Sequence, residues 1–403
     1  MSTSPKAVAL IDWNNSGHHL TYLRYYAEAF IKLKVPLLIL TSNVKILESE
    51  LGPFSQVNRS IISVQSIERS PVNKVKPNWR NRLKNWRRIR KSVMKIKSEI
   101  ARFESTYHLH DTHAHFACLY EREAKALNVL ITKLNRPWSG LYIQALSFYT
   151  SESPSHSEAV FSLFKDPRLT SLLCLDEIAQ PRIERTIKRP VIVAPDFTDN
   201  SVDSDSPFEK AIVDSAKGRL VIGLVGYLQP SKGIVPILEL VLQNELEDYF
   251  IVLAGAVQWA GFSPEEKSLL EQVSQKENVW AHLERIPTEV AYNGIIRACD
   301  LLVAAYRDFP HSSNTVTKAA TFEKPIIVTE GGLMAKRVNG FQLGLVIDRS
   351  ESVLLLEAIH QIKAQGFSTP LVKRQAFLAL HAPELLCDTL TRLLPHIFQG
   401  NAK

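Results

Sequence analysis

Twice along this chain, short apolar runs alternate with segments of helical periodicity, and a polar, acidic stretch separates the two series. The first series reads as strands at AVALIDW (7–13), VPLLILTS (35–42), SIISVQSI (60–67), STYHLH (105–110), LYIQA (141–145), SLLCLDE (171–177) and PVIVAP (190–195). Helices are expected from about His18 to Leu33 and, after the fourth strand, to Leu134. The second series has RLVIGLVG (219–226), DYFIVLAG (248–255), VWAHLE (279–284), DLLVAAY (300–306), PIIVTEGG (325–332) and LGLVID (343–348), with helical patterns between them and to the end. Strands apolar on both faces belong to parallel sheets covered by helices on each side. The expectation is two doubly wound α/β halves: 1–196, then a linker at 197–217 (DFTDNSVDSDSP and beyond), then 218–375. Terminal helices at 376–403 are expected to pack back on the first half. Such sheets take ligands beyond the carboxyl ends of their strands, so two facing halves would place a site in the cleft between them.

Bulk properties bound the partners. With 403 residues, 45% hydrophobic, the chain can fill two cores of ordinary domain size. No apolar stretch reaches the roughly 18 residues that span a bilayer. The start, MSTSPKAVALIDW, lacks a basic and then apolar leader, and a cytoplasmic protein is expected. Cys118, Cys174, Cys299 and Cys387 are far apart, which argues against a disulfide framework or a cysteine zinc site. The net charge is +7, but twelve Lys/Arg against the single acid Glu99 between Lys74 and Arg102 give that segment +11, leaving −4 elsewhere. The basicity is local, so general coating of nucleic acid is not expected.

That basic segment, 79–102, has an apolar stripe at Trp79, Leu83, Trp86, Ile89, Val93, Ile96 and Ile100 with Arg87, Arg88, Arg90 and Lys91 among its cations. Tryptophans with a cationic rim suit a helix lying in an anionic membrane interface. The stripe could instead pack on the sheet and leave a solvated basic face, or the cations could meet nucleic acid or another polyanion.

Four loops carry candidate chemistry. In GYLQPSKG (226–233), a turn after a strand leads into a helix, so Lys232 and the backbone amides near Gly233 could meet a pyrophosphate. In HSSNTVTKAATFEKP, Ser312, Ser313, Asn314 and Thr315 open a helix whose amides could do the same, or simply cap it. LHD (109–111) would put His110 and Asp111 at the carboxyl end of a strand, where Asp111 could serve as a general base. His108, His110, Asp111, His113 and His115 also invite a zinc reading, but HExxH is absent and no metal is expected. NNSGHH, with Gly17, His18 and His19, turns from the first strand into a helix. It lacks GxGxxG, so no dinucleotide cofactor is expected.

In this order, GHH (17–19), LHD, VAPD (193–196), GYLQPSKG, VLAG (252–255) and HSSNTVTKAATFEKPIIVTEGG (311–332) resemble the retaining GT-B glycosyltransferases that include bacterial lipopolysaccharide and exopolysaccharide transferases. The resemblance implies a GT-B fold and transfer of a hexose-type sugar from a nucleotide-diphosphate sugar, without metal or cofactor, to a glycan or lipid-linked acceptor. The enzyme would be cytoplasmic, or peripheral on the inner face of a membrane. It implies that Gly226, Tyr227, Lys232, Gly233, Ser312, Ser313, Asn314 and Thr315 hold the donor. His110 would contact the sugar, and Gly17, His18 and His19 would face the acceptor. This chain departs from the family in three places. Tyr227 replaces a basic residue, and the family's two glutamates, eight positions apart, fall at Pro310 and Lys318 when registered on Lys324–Pro325. Glu330 is the remaining carboxylate that could reach a ribose. Two alternatives stand beside transfer: a GT-B protein without activity that acts as a membrane-associated binding or scaffold subunit, and a nucleotide-sugar epimerase.

Overall fold

The structure is a computed structural model that describes residues 6–13, 19–42, 44, 45, 47, 62–67, 79–149, 154–366 and 370–398. The chain divides into two compact units, Met1–Pro195 with Pro383–Lys403, and Asp196–Ala382.

In the first unit the elements run β1 (Val8–Asp12), α1 (His19–Lys32), β2 (Leu37–Thr41), β3 (Ile62–Ser66), α2 (Trp79–Tyr107), β4 (His113–Leu119), α3 (Ala124–Leu134), β5 (Trp138–Tyr142), α4 (Pro154–Phe164), β6 (Leu169–Cys174), α5 (Gln180–Ile187) and β7 (Val191–Val193). The strands form a seven-stranded parallel sheet in the order β3-β2-β1-β4-β5-β6-β7. Every residue of β1, β2, β4 and β5 is buried, as a sheet covered on both faces requires.

The second unit runs α6 (Pro207–Ala216), β8 (Leu220–Val225), α7 (Ile234–Leu242), β9 (Tyr249–Ala254), α8 (Pro264–Val273), β10 (Val279–His282), α9 (Glu289–Ala298), β11 (Leu301–Ala304), α10 (Asn314–Thr321), β12 (Ile326–Thr329), α11 (Leu333–Phe341), β13 (Gly344–Ile347), α12 (Ser352–Gln365) and α13 (Leu371–Leu380). Its six strands are also parallel, in the order β10-β9-β8-β11-β12-β13. The last helix, α14 (Leu385–Phe398), packs on α1, β6 and β7 of the first unit. In both sheets the order reverses beside the first strand, between β1 and β4 and between β8 and β11. Those are the switch points at which open α/β sheets hold ligands.

Three boundaries differ from the sequence reading. The segment 105–110 is not a strand, because α2 continues through Tyr107. His108 then takes the left-handed conformation (φ 53°), and the Leu109 amide bonds the Glu104 carbonyl, which closes the helix. The strand is His113–Leu119 instead, in a stretch read as helical. The 197–217 segment is no free linker. Asn293 Nδ2 donates to the carbonyls of Asp199 and Ser201, and α6, capped by Ser206, packs on α9. The packing is tight enough that a Cβ on Gly294 would lie 2.2 Å from Ser206 Oγ. Finally, α13 stays with the second unit, on α10 and α11, so only the chain from Pro383 returns to the first.

From Ile89 onward the stripe of α2 faces inward. Val93, Ile96, Ile100 and Phe103 are buried in the core of the first unit, with Ile89 packed against it. The burial of these residues removes them from any membrane-inserting role. Arg87, Arg90 and Lys91 are exposed and Arg88 is half-buried, while the side chains of Trp79 and Trp86 lie outside those described.

Candidate functional site

At the switch point of the second sheet, the loops after β8 and β11 are held together by close backbone contact. Gly233 has φ 73° at the start of α7, and a Cβ there would lie 2.2 Å from the Ala305 carbonyl oxygen. Only glycine permits that approach. The Arg307 amide donates to the Ser231 carbonyl at 2.9 Å, which ties the two loops again. Gly226 turns at φ 125° as β8 ends, and Tyr227 beyond it is 46% exposed.

Lys232 closes a short 3-10 turn, Pro230–Lys232, and its Nζ lies 3.8 Å from the ring centroid of Tyr306 and 4.8 Å from that of Phe309. Cation–π attraction therefore fixes the ammonium group where β11 ends. Tyr306 is buried, and its hydroxyl shares a 3.2 Å hydrogen bond with Thr315 Oγ1 at the start of α10. Ser313 is the N-cap of α10: its Oγ accepts from the Thr315 amide and donates to Thr315 Oγ1 at 3.1 Å. Lys232, Tyr306, Ser313 and Thr315 thus form one cluster. Burial pushes the Tyr306 phenol up, but the Lys232 ammonium and hydrogen bonds with Thr315, Ser313 and Lys232 outweigh it, and its pKa lies below the ordinary tyrosine value. Tyr306 was missed in the sequence because DLLVAAY reads simply as a strand ending in an aromatic.

Other expected donor residues are already committed to the protein. Ser312 Oγ donates to the Asp196 carboxylate, which also accepts from Arg337 Nη1 at 2.8 Å. Asn314 donates to the Phe197 carbonyl and accepts from Thr198 Oγ1, each at 2.9 Å. These bonds fasten 196–198 to α10 and set the orientation of its first turn. Lys318, where the resembled family carries a glutamate, is buried. Its Nζ donates to Asn293 Oδ1 at 2.5 Å and to the Asp199 carbonyl, and pairs with Glu289 at 3.0 Å. A carboxylate could not take that place, since all three of those partners present acceptor oxygens. Glu330 is exposed just past β12, its amide bonded to the Ile347 carbonyl.

In the first unit, His110 and Asp111 are exposed in the turn that precedes β4, with Asp111 at φ 55°. They therefore sit at the amino edge of the sheet, opposite to the carboxyl edge expected for them. His113 and His115 lie inside β4, and both bond Ser139 Oγ at 2.8 Å. Burial, with the neighbouring His115, draws the His113 pKa down, and burial alone draws His115 down to about 3, so both are neutral core residues. Gly17 and His18 lie outside the described residues. His19 opens α1, buried, with Nδ1 2.9 Å from Asp12 Oδ2. A depression of about 550 Å³ at the amino edge of the second sheet is lined by Asn244, Tyr249, His360 and Lys363. There Lys363 stacks over Tyr249, away from the convergent loops.

The sequence matches no family model and no curated protein. The fold does match solved structures over nearly their whole lengths. HepE of Anabaena, in complex with UDP and glucose, is 15% identical, with a TM-score of 0.67 over 96% of this chain and 99% of that one. Sucrose-phosphate synthase of Thermosynechococcus elongatus is 14% identical, with a TM-score of 0.68 over 98% and 99%. A glycosyltransferase of Rickettsia africae is 12% identical, with a TM-score of 0.65 over 99% and 100%. The chain has the GT-B fold, two Rossmann-like α/β units. Among the described residues no helix is long and apolar enough to cross a membrane.

Proposed function

We propose that the protein is a glycosyltransferase that moves a hexose-type sugar from a nucleotide-diphosphate sugar to a glycan or lipid-linked acceptor. The observation that carries this is the cluster at the β8/β11 switch point, where Lys232 and the first turn of α10 meet around Tyr306. A diphosphate beside that cluster gains an ammonium group and helix N-terminal amides, which stabilise the leaving nucleoside diphosphate as its bond to the sugar breaks. Those donors meet the phosphate charge without a metal, and retention at the anomeric carbon follows from the resemblance stated above. HepE, of the same fold, is known in complex with UDP-glucose, which supports a donor of that class.

The exposed basic face of α2, with Arg87, Arg90 and Lys91, would meet an anionic membrane surface and bring the enzyme to a lipid-linked acceptor. From Ile89 onward the apolar side of the helix is spent in the core, so over that part the contact would be electrostatic. Sedimentation with anionic vesicles, lost on reversing those three charges, tests it. The second reading is a GT-B protein that binds without transfer, and Lys318 favours it, since a family carboxylate position has been turned to holding the chain together.

One experiment separates the two: a thermal-shift screen against UDP-, GDP- and ADP-linked sugars, followed by donor hydrolysis and transfer assays. One donor should raise the melting temperature of the parent. Lys232→Ala should weaken that donor about 10- to 100-fold, the loss of a charge-assisted bond. A flat screen removes the transferase reading, and binding without turnover selects the second one.

A further inference from the structure

The switch point of the first sheet holds a cluster that the transferase reading does not use. Asp12 ends β1, Cys118 stands next to last in β4, and His19 opens α1. The parallel register sets Ile11 beside Phe116, which brings the ends of the two strands side by side. All three side chains are buried, at 4%, 6% and 4% exposure for Asp12, Cys118 and His19. One carboxylate oxygen, one imidazole nitrogen and the thiol sulfur all lie within 4.8 Å of one another, and His19 Nδ1 is 2.9 Å from Asp12 Oδ2.

We propose that Asp12, His19 and Cys118 bind one divalent ion of the zinc class. The donor set selects the ion. A thiolate and an imidazole suit zinc and its borderline neighbours, whereas magnesium and calcium take oxygen ligands. The spacing fits as well. Tetrahedral bonds of about 2.0–2.3 Å place ligand atoms about 3.3–3.8 Å apart. The observed separations, from 2.9 Å to no more than 4.8 Å, lie on either side of that range, so adjustments of about an ångström close the site. Charge fits too: one carboxylate and one thiolate neutralise a dication, and a neutral complex is the form that a buried position tolerates. On binding, the Cys118 proton leaves to solvent as the metal–sulfur bond forms. The ion would fasten the start of α1 to the ends of β1 and β4, at the edge where sheets of this type meet their ligands.

The test is a Co2+ titration of the full-length protein after chelator treatment and removal of the chelator. One equivalent should give the near-ultraviolet thiolate-to-cobalt band with the visible bands of a tetrahedral site, and one equivalent of Zn2+ should abolish both. Cys118→Ser should lose the thiolate band. His19→Gln should weaken cobalt binding by about 10-fold or more. Should the serine variant fail to fold, the melting temperature decides: Zn2+ should raise it in the parent and not in His19→Gln. A parent spectrum without a sulfur band, the same band in Cys118→Ser, or equal Zn2+ stabilisation in His19→Gln overturns the proposal.

Discussion

Two regions, one in each unit, bury ionisable groups in opposite ways. In the second unit, the region around α10 pairs its buried charges. Asp196 and Arg337, 3% and 2% exposed at their side chains, are joined at 2.8 Å, and Lys318 is joined to Glu289. In the first unit, the ionisable residues of strand β4 itself are buried uncharged: His113, His115 and Cys118 stand in one strand, the histidine pKa values drawn down and the thiol pushed up by burial, with the Asp12 and Glu123 charges and a hydrogen bond to Asp12 adding to the thiol's rise. A pair has direction, and here it aims the chain at 196–201 and the first turn of α10. A neutral group has none, but it must give up a charge that water would favour whenever the pH lies between its two pKa values.

Breaking the pair should have the largest effect. Asp196→Ala leaves Arg337 buried and uncompensated, which costs about 3–5 kcal/mol. Denaturant unfolding should show it as a lowered midpoint, and Asp196→Asn should recover part of it by keeping the hydrogen bonds to Arg337 and Ser312. Burial raises the Asp196 carboxyl, but Arg337, His381 and the bond from Ser312 outweigh it and hold the pKa below the ordinary value. An acid with a lowered folded pKa gives stability that is complete above its unfolded value, about 3.9, and lost as the pH falls through the folded one. The pair therefore fails only in strong acid.

The neutral histidines should fail earlier. His115 is pushed from 6.5 to about 3, so between those values the unfolded chain holds a proton that the folded one does not. Stability must then fall as the pH drops from about 6.5 toward 3, by up to about 1.4 kcal/mol per pH unit for one such group. His311, in the second unit and pushed by burial to about 4, adds a slope of the same sign. His115→Phe isolates the contribution of the first unit. Its stability at pH 7.5 should change less than its slope below pH 6.5, read from denaturant midpoints across the range. An unchanged slope would mean that His115 is protonated in the fold.

The same contrast explains what could be read from the sequence. Strands such as RLVIGLVG and DYFIVLAG were legible because they are apolar throughout and end in glycine, and the observed β8 and β9 fall inside them. β4 was not, because HAHFACL carries two histidines that become core residues only through Ser139, 24 and 26 positions away. No local pattern shows that partner. The expectation for His110 and Asp111 failed with it, since a shift of the strand by a few residues exchanges one edge of the sheet for the other. The turn that carries Lys232 and the helix cap at Ser313 were legible from turn and cap chemistry. The role of Lys318 was not, because its partners come from 199, 289 and 293.

Tyr306 stands between the two modes, a buried neutral group beside a cation, and it gives the smallest and sharpest test. Tyr306→Phe keeps the ring under Lys232 and loses the hydroxyl with its bonds to Thr315, Ser313 and Lys232, while Thr315 retains Ser313. Stability should fall by about 1 kcal/mol. Donor affinity should fall less than in Lys232→Ala, because the ammonium group keeps its ring. The phenol itself reports the arrangement. In the parent its ionisation, followed as phenolate absorbance, should lie below the ordinary tyrosine range, because Lys232 and the hydroxyls outweigh burial. In Lys232→Met the largest opposing influence is gone, so burial should carry the ionisation upward. If it stays where it was in the parent, the ammonium group does not rest over Tyr306, and the cluster that joins the two loops at the β8/β11 switch point does not exist.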